Sequence, residues 1–240
     1  YLTRRAAHHQ QPLNVYLRRL LSPTPEPAEL TALVEEVAIN ETFFFRDYEQ
    51  LVCFAEDCLA DVLQRREQDR TLRVWSAACS SGEEPYTLAI ILHAMLEEEP
   101  VDFHVTGTDI DENALATAQR GRYAYQRSER VIPAEYLDVY FRRNGEELQV
   151  HEMLQRAVSF RQLNLVEETA MQQMRDFDFV FCKNVLFYFS PAVQQQVIQR
   201  LYDAVRPGGY LFLNLARPIE RIMPNLRFDR SHRYFYRKSL

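Results

Sequence analysis

No apolar run in this 240-residue sequence approaches the roughly 18 residues that a membrane-spanning helix requires, which argues against membrane insertion. No basic stretch followed by an apolar one opens it either, and because it begins on Tyr1 rather than Met it reads as a fragment whose own N-terminus is missing. Cysteine is scarce. Cys53, Cys58, Cys79 and Cys182 show neither CxxC nor zinc-finger spacing and fall in apolar patterns, where a thiol packs as a small hydrophobe. The expectation is a reduced, cytoplasmic protein with no metal site. Histidine forms no constellation: His8 and His9 are adjacent near the start, while His93, His104, His151 and His232 are dispersed, so no dyad for acid-base or nucleophilic work is visible. A net charge of -6 argues against nucleic-acid binding.

What is present suffices for a full core: 47% of positions are hydrophobic and 12% aromatic. The length fits one large domain with a small attachment. Charge is unevenly placed. Residues 1–22 carry Arg4, Arg5, Arg18 and Arg19 and no acid, residues 26–69 carry a net -9, and residues 217–240 a net +5. The basic ends would meet an acidic partner or form solvated faces; sequence alone leaves both open.

The first 70 residues read as helices. Leu30, Leu33, Val34, Val37 and Ala38 form one apolar stripe, and Leu51, Phe54, Ala55, Cys58, Leu59, Val62 and Leu63 another, each expected to bury a face. Ser22-Pro23-Thr24-Pro25-Glu26-Pro27 is a joint that no helix continues through. From residue 71 the rhythm changes. Leu72–Ala78, Val101–Thr108, Val158–Leu163, Phe177–Cys182 and Tyr210–Leu215 read as strands, with amphipathic helices at Pro85–Leu96, Asn113–Arg120 and Pro191–Val205. This alternation predicts an α/β fold with a mostly parallel sheet. Asn144-Gly145, between extended runs, predicts a small antiparallel excursion.

Three segments could carry chemistry. Trp75-Ser76-Ala77-Ala78-Cys79-Ser80-Ser81-Gly82-Glu83-Glu84-Pro85-Tyr86 is a strand, a turn of small residues and a helix start, the crevice where nucleotides bind in open α/β sheets. Acids stand where a dinucleotide site has its glycine-rich phosphate cradle, so a cationic ligand such as S-adenosylmethionine (SAM) suits it better. The same acids also complement a helix dipole. Asp109, ending the second strand, is placed to accept from ribose hydroxyls, while Asp111 could cap the helix that follows. The strand Phe177–Cys182 ends in Lys183-Asn184 and an aromatic run, which offers Asn184 as a hydrogen-bonding group and Tyr188 as a stacking or orienting one.

Taken in order, Asn40-Glu41-Thr42-Phe43-Phe44-Phe45-Arg46, Trp75-Ser76-Ala77-Ala78 with Gly82-Glu83-Glu84-Pro85-Tyr86, Asp109-Ile110-Asp111, Phe177-Asp178 with Asn184-Val185 and Tyr188-Phe189, and Arg206-Pro207-Gly208-Gly209 resemble the chemotaxis-receptor methyltransferase (CheR) family. The resemblance covers about residues 30–215. It implies a class I SAM-dependent methyltransferase, with a Rossmann-like sheet over residues 70–240, a small N-terminal helical domain and linker over 1–69, and a small antiparallel β-subdomain at about 136–162. It also implies a reaction: methyl transfer from SAM to glutamate side chains in the cytoplasmic helical domain of a chemoreceptor, giving methyl esters. Carried over by position, cofactor contacts fall on Asn40, Thr42, Arg46, Ala77, Glu83, Asp109, Asn164, Leu165, Asn184 and Val185. The sequence departs from the family pattern at Cys79-Ser80-Ser81, at Lys183, where Arg is usual, and at Asn214-Leu215-Ala216-Arg217. The family's basic helix is represented by Tyr1-Leu2-Thr3-Arg4-Arg5.

Such a transfer needs no general base, because a glutamate with a pKa of about 4.3 is already ionised at neutral pH. The site must align carboxylate, methyl and sulfur and exclude water, and Arg46 and Tyr188 are the expected orienting groups. Two other readings are a methyltransferase for a different nucleophile and a SAM-binding signalling scaffold without activity.

Overall fold

Between residues 72 and 238 the β-rich runs pair into two sheets in the computed structural model, which describes residues 1–37, 41–65 and 71–240. The strands are β1 (Leu72–Ala77), β2 (Phe103–Asp109), β3 (Arg122–Ala124), β4 (Phe141–Asn144), β5 (Glu147–Val150), β6 (Val158–Gln162), β7 (Phe177–Cys182), β8 (Val205–Leu213), β9 (Phe228–Ser231) and β10 (Tyr236–Lys238). The large sheet has the order β6-β2-β1-β7-β8-β10-β9. Its first five strands are parallel, and β10 and β9 add an antiparallel edge. This is the class I methyltransferase fold. The chain runs outward from β1 through β2 to β6 and then returns to β7, so the strand order reverses between β1 and β7, where a crevice opens at the carboxyl ends.

β7 is buried at every position, as a central strand covered on both faces must be. Alternation divides the residues of β1, β7 and β8 between two cores. Val74, Phe179, Phe181 and Phe212 face one side, and Trp75, Val180, Cys182, Leu211 and Leu213 face the other, where Val197, Ile198 and Leu201 of the helix Pro191–Ala204 cover them. On the first side Phe54 packs edge-on against Phe179, Phe181 and Phe212 at 5.0, 5.3 and 6.0 Å. Burying such a ring contributes about 1.5–3 kcal/mol.

Phe54 belongs to the N-terminal helices: α1 (Leu2–His8), α2 (Leu13–Leu20), α3 (Pro27–Val37) and α4 (Tyr48–Val52), the last continuing through a wide π-helical turn at Cys53–Cys58 into α5 (Leu59–Arg65). The second predicted stripe is the buried one: Leu51, Phe54, Cys58, Leu59 and Val62 are all inside. The first is corrected at Leu30, which is 37% exposed, while its Val34, Val37 and Ala38 lie outside the described side chains; among those described, α3 buries Glu29. Its carboxylate accepts from Arg5 Nε and Nη2 at 2.9 and 2.6 Å and from the Tyr16 hydroxyl at 2.8 Å, with His9 Nε2 at 2.5 Å. Arg4 pairs with Glu36 and Arg19 with Glu26. Three of the four N-terminal arginines are thus neutralised by the chain's own acids, not presented as a bare basic face. In the basic C-terminal segment one residue is paired in the same way. Arg237 binds Asp229 at 2.6 Å and Asp61 at 3.2 Å, and Asp61 also pairs with Arg65 and accepts from Tyr210, which ties α5 to β8 and β10.

The small antiparallel sheet has the order β3-β5-β4. The expected hairpin is there, but Asn144 pairs with Glu147, so the loop is Gly145-Glu146, with Gly145 at φ +63°. Its third strand, β3, lies before the predicted 136–162 span, and β6, inside that span, belongs to the large sheet. A three-residue strand carries too little pattern to read, and only its pairing with β5 reveals it. Further along, β8 starts five residues before the predicted Tyr210, with a register shift opposite Phe177–Phe179 where Pro207-Gly208-Gly209 bends the strand. Among the described residues no helix is long and apolar enough to cross a membrane.

Candidate active site

At the exit of β1 the chain makes a tight turn of small residues. Ala78 and Ser80 take left-handed φ values of +59° and +50°, and Gly82 takes +93° before α6 (Glu83–Met95) begins. Gly82 is required twice over: its φ suits glycine, and a β-carbon there would stand 2.6 Å from the Ala118 β-carbon. The turn is pinned by Asp109 at the end of β2, whose Oδ2 accepts from Ser80 N at 2.7 Å while Oδ1 accepts from Asp111 N at 3.0 Å. Burial pushes the Asp109 carboxyl up, against the pull of these backbone donors. Asp111 accepts from Asn113 N and Ala114 N at 2.9 and 3.1 Å and caps α7 (Glu112–Arg120). The two neighbouring acids therefore divide their work: Asp109 lines the crevice and Asp111 starts a helix.

β6 delivers Leu163, Asn164 and Leu165. Leu163 N donates to Asp109 O at 2.8 Å, and Asn164 Oδ1 accepts from Val166 N at 3.1 Å. β7 delivers Lys183, Asn184 at φ +58°, Val185 and a short turn that leaves Phe187 and Tyr188 61% and 55% exposed, their rings 4.4 Å apart. Facing these strand ends is the loop before α4. Within it Arg46 donates to Glu41 O at 2.5 Å, and its guanidinium lies 5.5 Å from the Phe43 ring. Among the described residues no carboxylate pairs with Arg46. Its acidic neighbours in sequence are engaged elsewhere: Asp47 lies beside Lys183, and Glu49 accepts from the Tyr234 hydroxyl.

These segments enclose a cavity of about 560 Å³, within the range of small-molecule sites. Of the residues singled out in the sequence, Thr42, Arg46, Asp109, Asn164, Leu165, Asn184, Val185 and Tyr188 line it. Ala77 and Glu83 do not. Ala77 is buried within β1 and the wall is formed by Ala78, while the Glu83 carboxylate is buried beside Ser81, whose hydroxyl donates to it at 2.7 Å, and is pushed up by that burial. Asn40 lies outside the described residues. Adjacent helix positions point about 100° apart, so only one of Glu83 and Glu84 can face the crevice, and it is Glu84. Sequence reasoning also passed over Lys183 as a site residue. The available signal was a lysine directly following a strand that is apolar but for Asp178, a position from which its charge needs a partner.

The donor set suits SAM. Asp109 offers carboxylate oxygens to hydroxyls, Glu84 lines the wall with its charge shared with Lys183, and Ile110, Leu163, Leu165 and Val185 offer apolar surface for a base. Ser80 Oγ is buried with no hydrogen-bond partner among the described residues, as a group awaiting a polar ligand would be. Cys79 also lines the cavity, but burial raises its thiol far above the range in which a thiolate forms, so it packs without acting as a nucleophile.

Comparison with known proteins agrees with this chemistry. The family model described as "CheR methyltransferase, SAM binding domain" matches residues 40–225. The chain is 33% identical over 213 residues to chemotaxis protein methyltransferase 2 of Vibrio cholerae, covering 86% of this chain and 73% of that one. It is also 33% identical over 195 residues to chemotaxis protein methyltransferase 1 of Pseudomonas aeruginosa, covering 79% and 70%. The chain thus belongs to the CheR methyltransferase family, and residues 40–225 are its SAM-binding domain.

Proposed function

We propose that this protein methylates glutamate side chains in the cytoplasmic helical domain of a chemoreceptor, forming methyl esters. The observation that carries the reading is Arg46, a guanidinium on the cavity wall that no described carboxylate neutralises and that is available to receive one from a substrate. The names of the relatives support the chemotactic setting. Bound SAM supplies an electrophilic methyl group on a sulfonium. In the same proposal Asp109 holds hydroxyls, Asn164, Leu165, Asn184 and Val185 seat the base and amino-acid ends together with Thr42, and Glu84 takes the facing role that sequence had given to Glu83. Arg46 orients the incoming carboxylate, and the exposed Tyr188 borders the reacting centre. No proton has to be removed, since a free glutamate titrates at about 4.3 and arrives ionised. What the walls supply is alignment and a shield from water, worth up to roughly 7–11 kcal/mol in well-oriented reactions.

The test is incubation with methyl-labelled SAM and receptor cytoplasmic fragments. Label should appear on the receptor and be released as methanol by mild alkali. Arg46→Ala should lower turnover by about 100-fold or more while changing SAM affinity less than about threefold, because alignment matters chiefly in the transition state. Alkali-resistant label would assign a different nucleophile, and SAM binding with no methylation of any receptor or small acid would assign a scaffold.

A further inference from the structure

We infer that Lys183 is the positioning residue for the Arg46 loop, fixing that loop to the sheet so that the guanidinium stands at the cavity. The inference rests on the role given to Arg46 above. The Lys183 side chain is only 4% exposed. Its Nζ lies 3.0 Å from Glu84 Oε2, 3.5 Å from Asp47 Oδ2 and 3.5 Å from the Arg46 carbonyl oxygen. An ammonium has three N–H donors and no acceptor, and here three acceptors surround it. They come from two separate parts of the chain, the start of α6 and the loop before α4, while Lys183 itself ends β7.

The loop is one that needs holding. Phe45 and Asp47, on either side of Arg46, have left-handed φ values of +56° and +59°, a conformation that non-glycine residues keep only where their surroundings enforce it. Phe45 is fixed by its N–H, which donates to Thr87 Oγ1 at 3.1 Å. Lys183 holds Arg46 by its carbonyl and Asp47 by its carboxylate. From the end of β8, Asn214 Nδ2 reaches the same Asp47 oxygen at 3.3 Å. Glu84 is itself anchored, accepting from Ser76 Oγ of β1 at 2.7 Å. Among the described residues the Arg46 guanidinium, by contrast, finds its hydrogen-bond and cation–π partners only in its own loop, Glu41 O and Phe43. Its place relative to Asp109 and Asn184 is therefore set through the backbone, and Lys183 is the cation through which the sheet sets it. Lys183 and Asn214, the positions at which the sequence departs from the family pattern after β7 and β8, converge on this one carboxylate.

The test uses the full chain and three variants: Lys183→Met, Lys183→Arg and Asp47→Asn. Asp47→Asn leaves the Lys183–Glu84 pair intact and suits a left-handed φ. In Lys183→Met, backbone amides of residues 41–48 should exchange about 10-fold faster or more while those of β1 and β7 keep their protection, and Asp47→Asn should do the same to a smaller degree. Turnover on the receptor should fall by about 10-fold or more in Lys183→Met with SAM affinity and receptor KM within about threefold of the parent, and Lys183→Arg should restore exchange and turnover to within about threefold. Unchanged exchange in both disrupting variants would overturn the inference, and so would equal losses of SAM affinity and turnover. If Lys183→Met does not fold, because Glu84 is left without its cation, Asp47→Asn decides alone. Faster loop exchange in a protein whose parent esterifies no receptor carboxylate would keep Lys183 as the loop's anchor and remove the proposed substrate; ester formation with an unchanged loop would do the reverse.

Discussion

Asp109 accepts two backbone N–H groups and still faces the cavity, so it holds a turn in place while its carboxylate stays open to the cavity. Asp109→Ala should weaken SAM binding by about 10- to 100-fold, the effect of losing hydrogen bonds to a charged acceptor worth about 1.5–3 kcal/mol. Calorimetry measures it, and unchanged affinity would remove Asp109 from the site. Gly82→Ala tests the turn without touching a polar group. Its φ of +93° and the 2.6 Å approach to the Ala118 β-carbon should cost about 1–3 kcal/mol of stability, read as a lower denaturation midpoint. Five of the seven left-handed non-glycine residues among those described, Phe45, Asp47, Ala78, Ser80 and Asn184, line or flank the cavity. None of this strain is visible in sequence, because residue type does not announce φ except at glycine.

At the scale of elements, the docking of α1 and α2 on α3 depends on Glu29. Hydrogen bonds from Arg5 hold its carboxyl at about 2, below the usual glutamate value. A depressed carboxyl stabilises the fold fully above its unfolded pKa of about 4.3 and loses that contribution as pH falls toward the folded value. Amides of α1 and α2 should therefore lose exchange protection as pH drops from about 4.5 to 2, before the central strands do. Glu29→Gln should abolish this pH dependence and lower prefix stability by about 1.5–3 kcal/mol at neutral pH. Protection that falls in step with that of β7 would show that the helices and sheet unfold together and that the hub is not a separate unit. The same hub explains why the charge map misled. In sequence the +4 segment stood as a partner surface or a solvated face, but it folds onto the -9 segment.

For the molecule as a whole, ligand and stability are coupled because the cavity is walled by both the N-terminal loop and four strand ends. At a SAM concentration of 100 times Kd the native state gains about 2.7 kcal/mol, which should raise Tm by about 5–10 °C in a single cooperative transition. Two transitions, only one of them moved by SAM, would mean that the N-terminal helices unfold apart from the sheet that holds the ligand. The sequence by itself determined the strand and helix succession, the crevice after β1 and the cavity-facing carboxylate Asp109, because hydrophobic period, small-residue turns and strand-end acids are local signals. Boundaries shifted by a few residues where pairing extended a run, as at β8, and the three-residue β3 was invisible because its evidence lies in a partner 25 residues away. Only the tertiary structure decided which of Glu83 and Glu84 faces the cavity, that three of the four N-terminal arginines are already paired, and that Lys183 reaches the Arg46 loop. Each of these is a choice of partner across more than one element, and partner choice is set by packing in three dimensions.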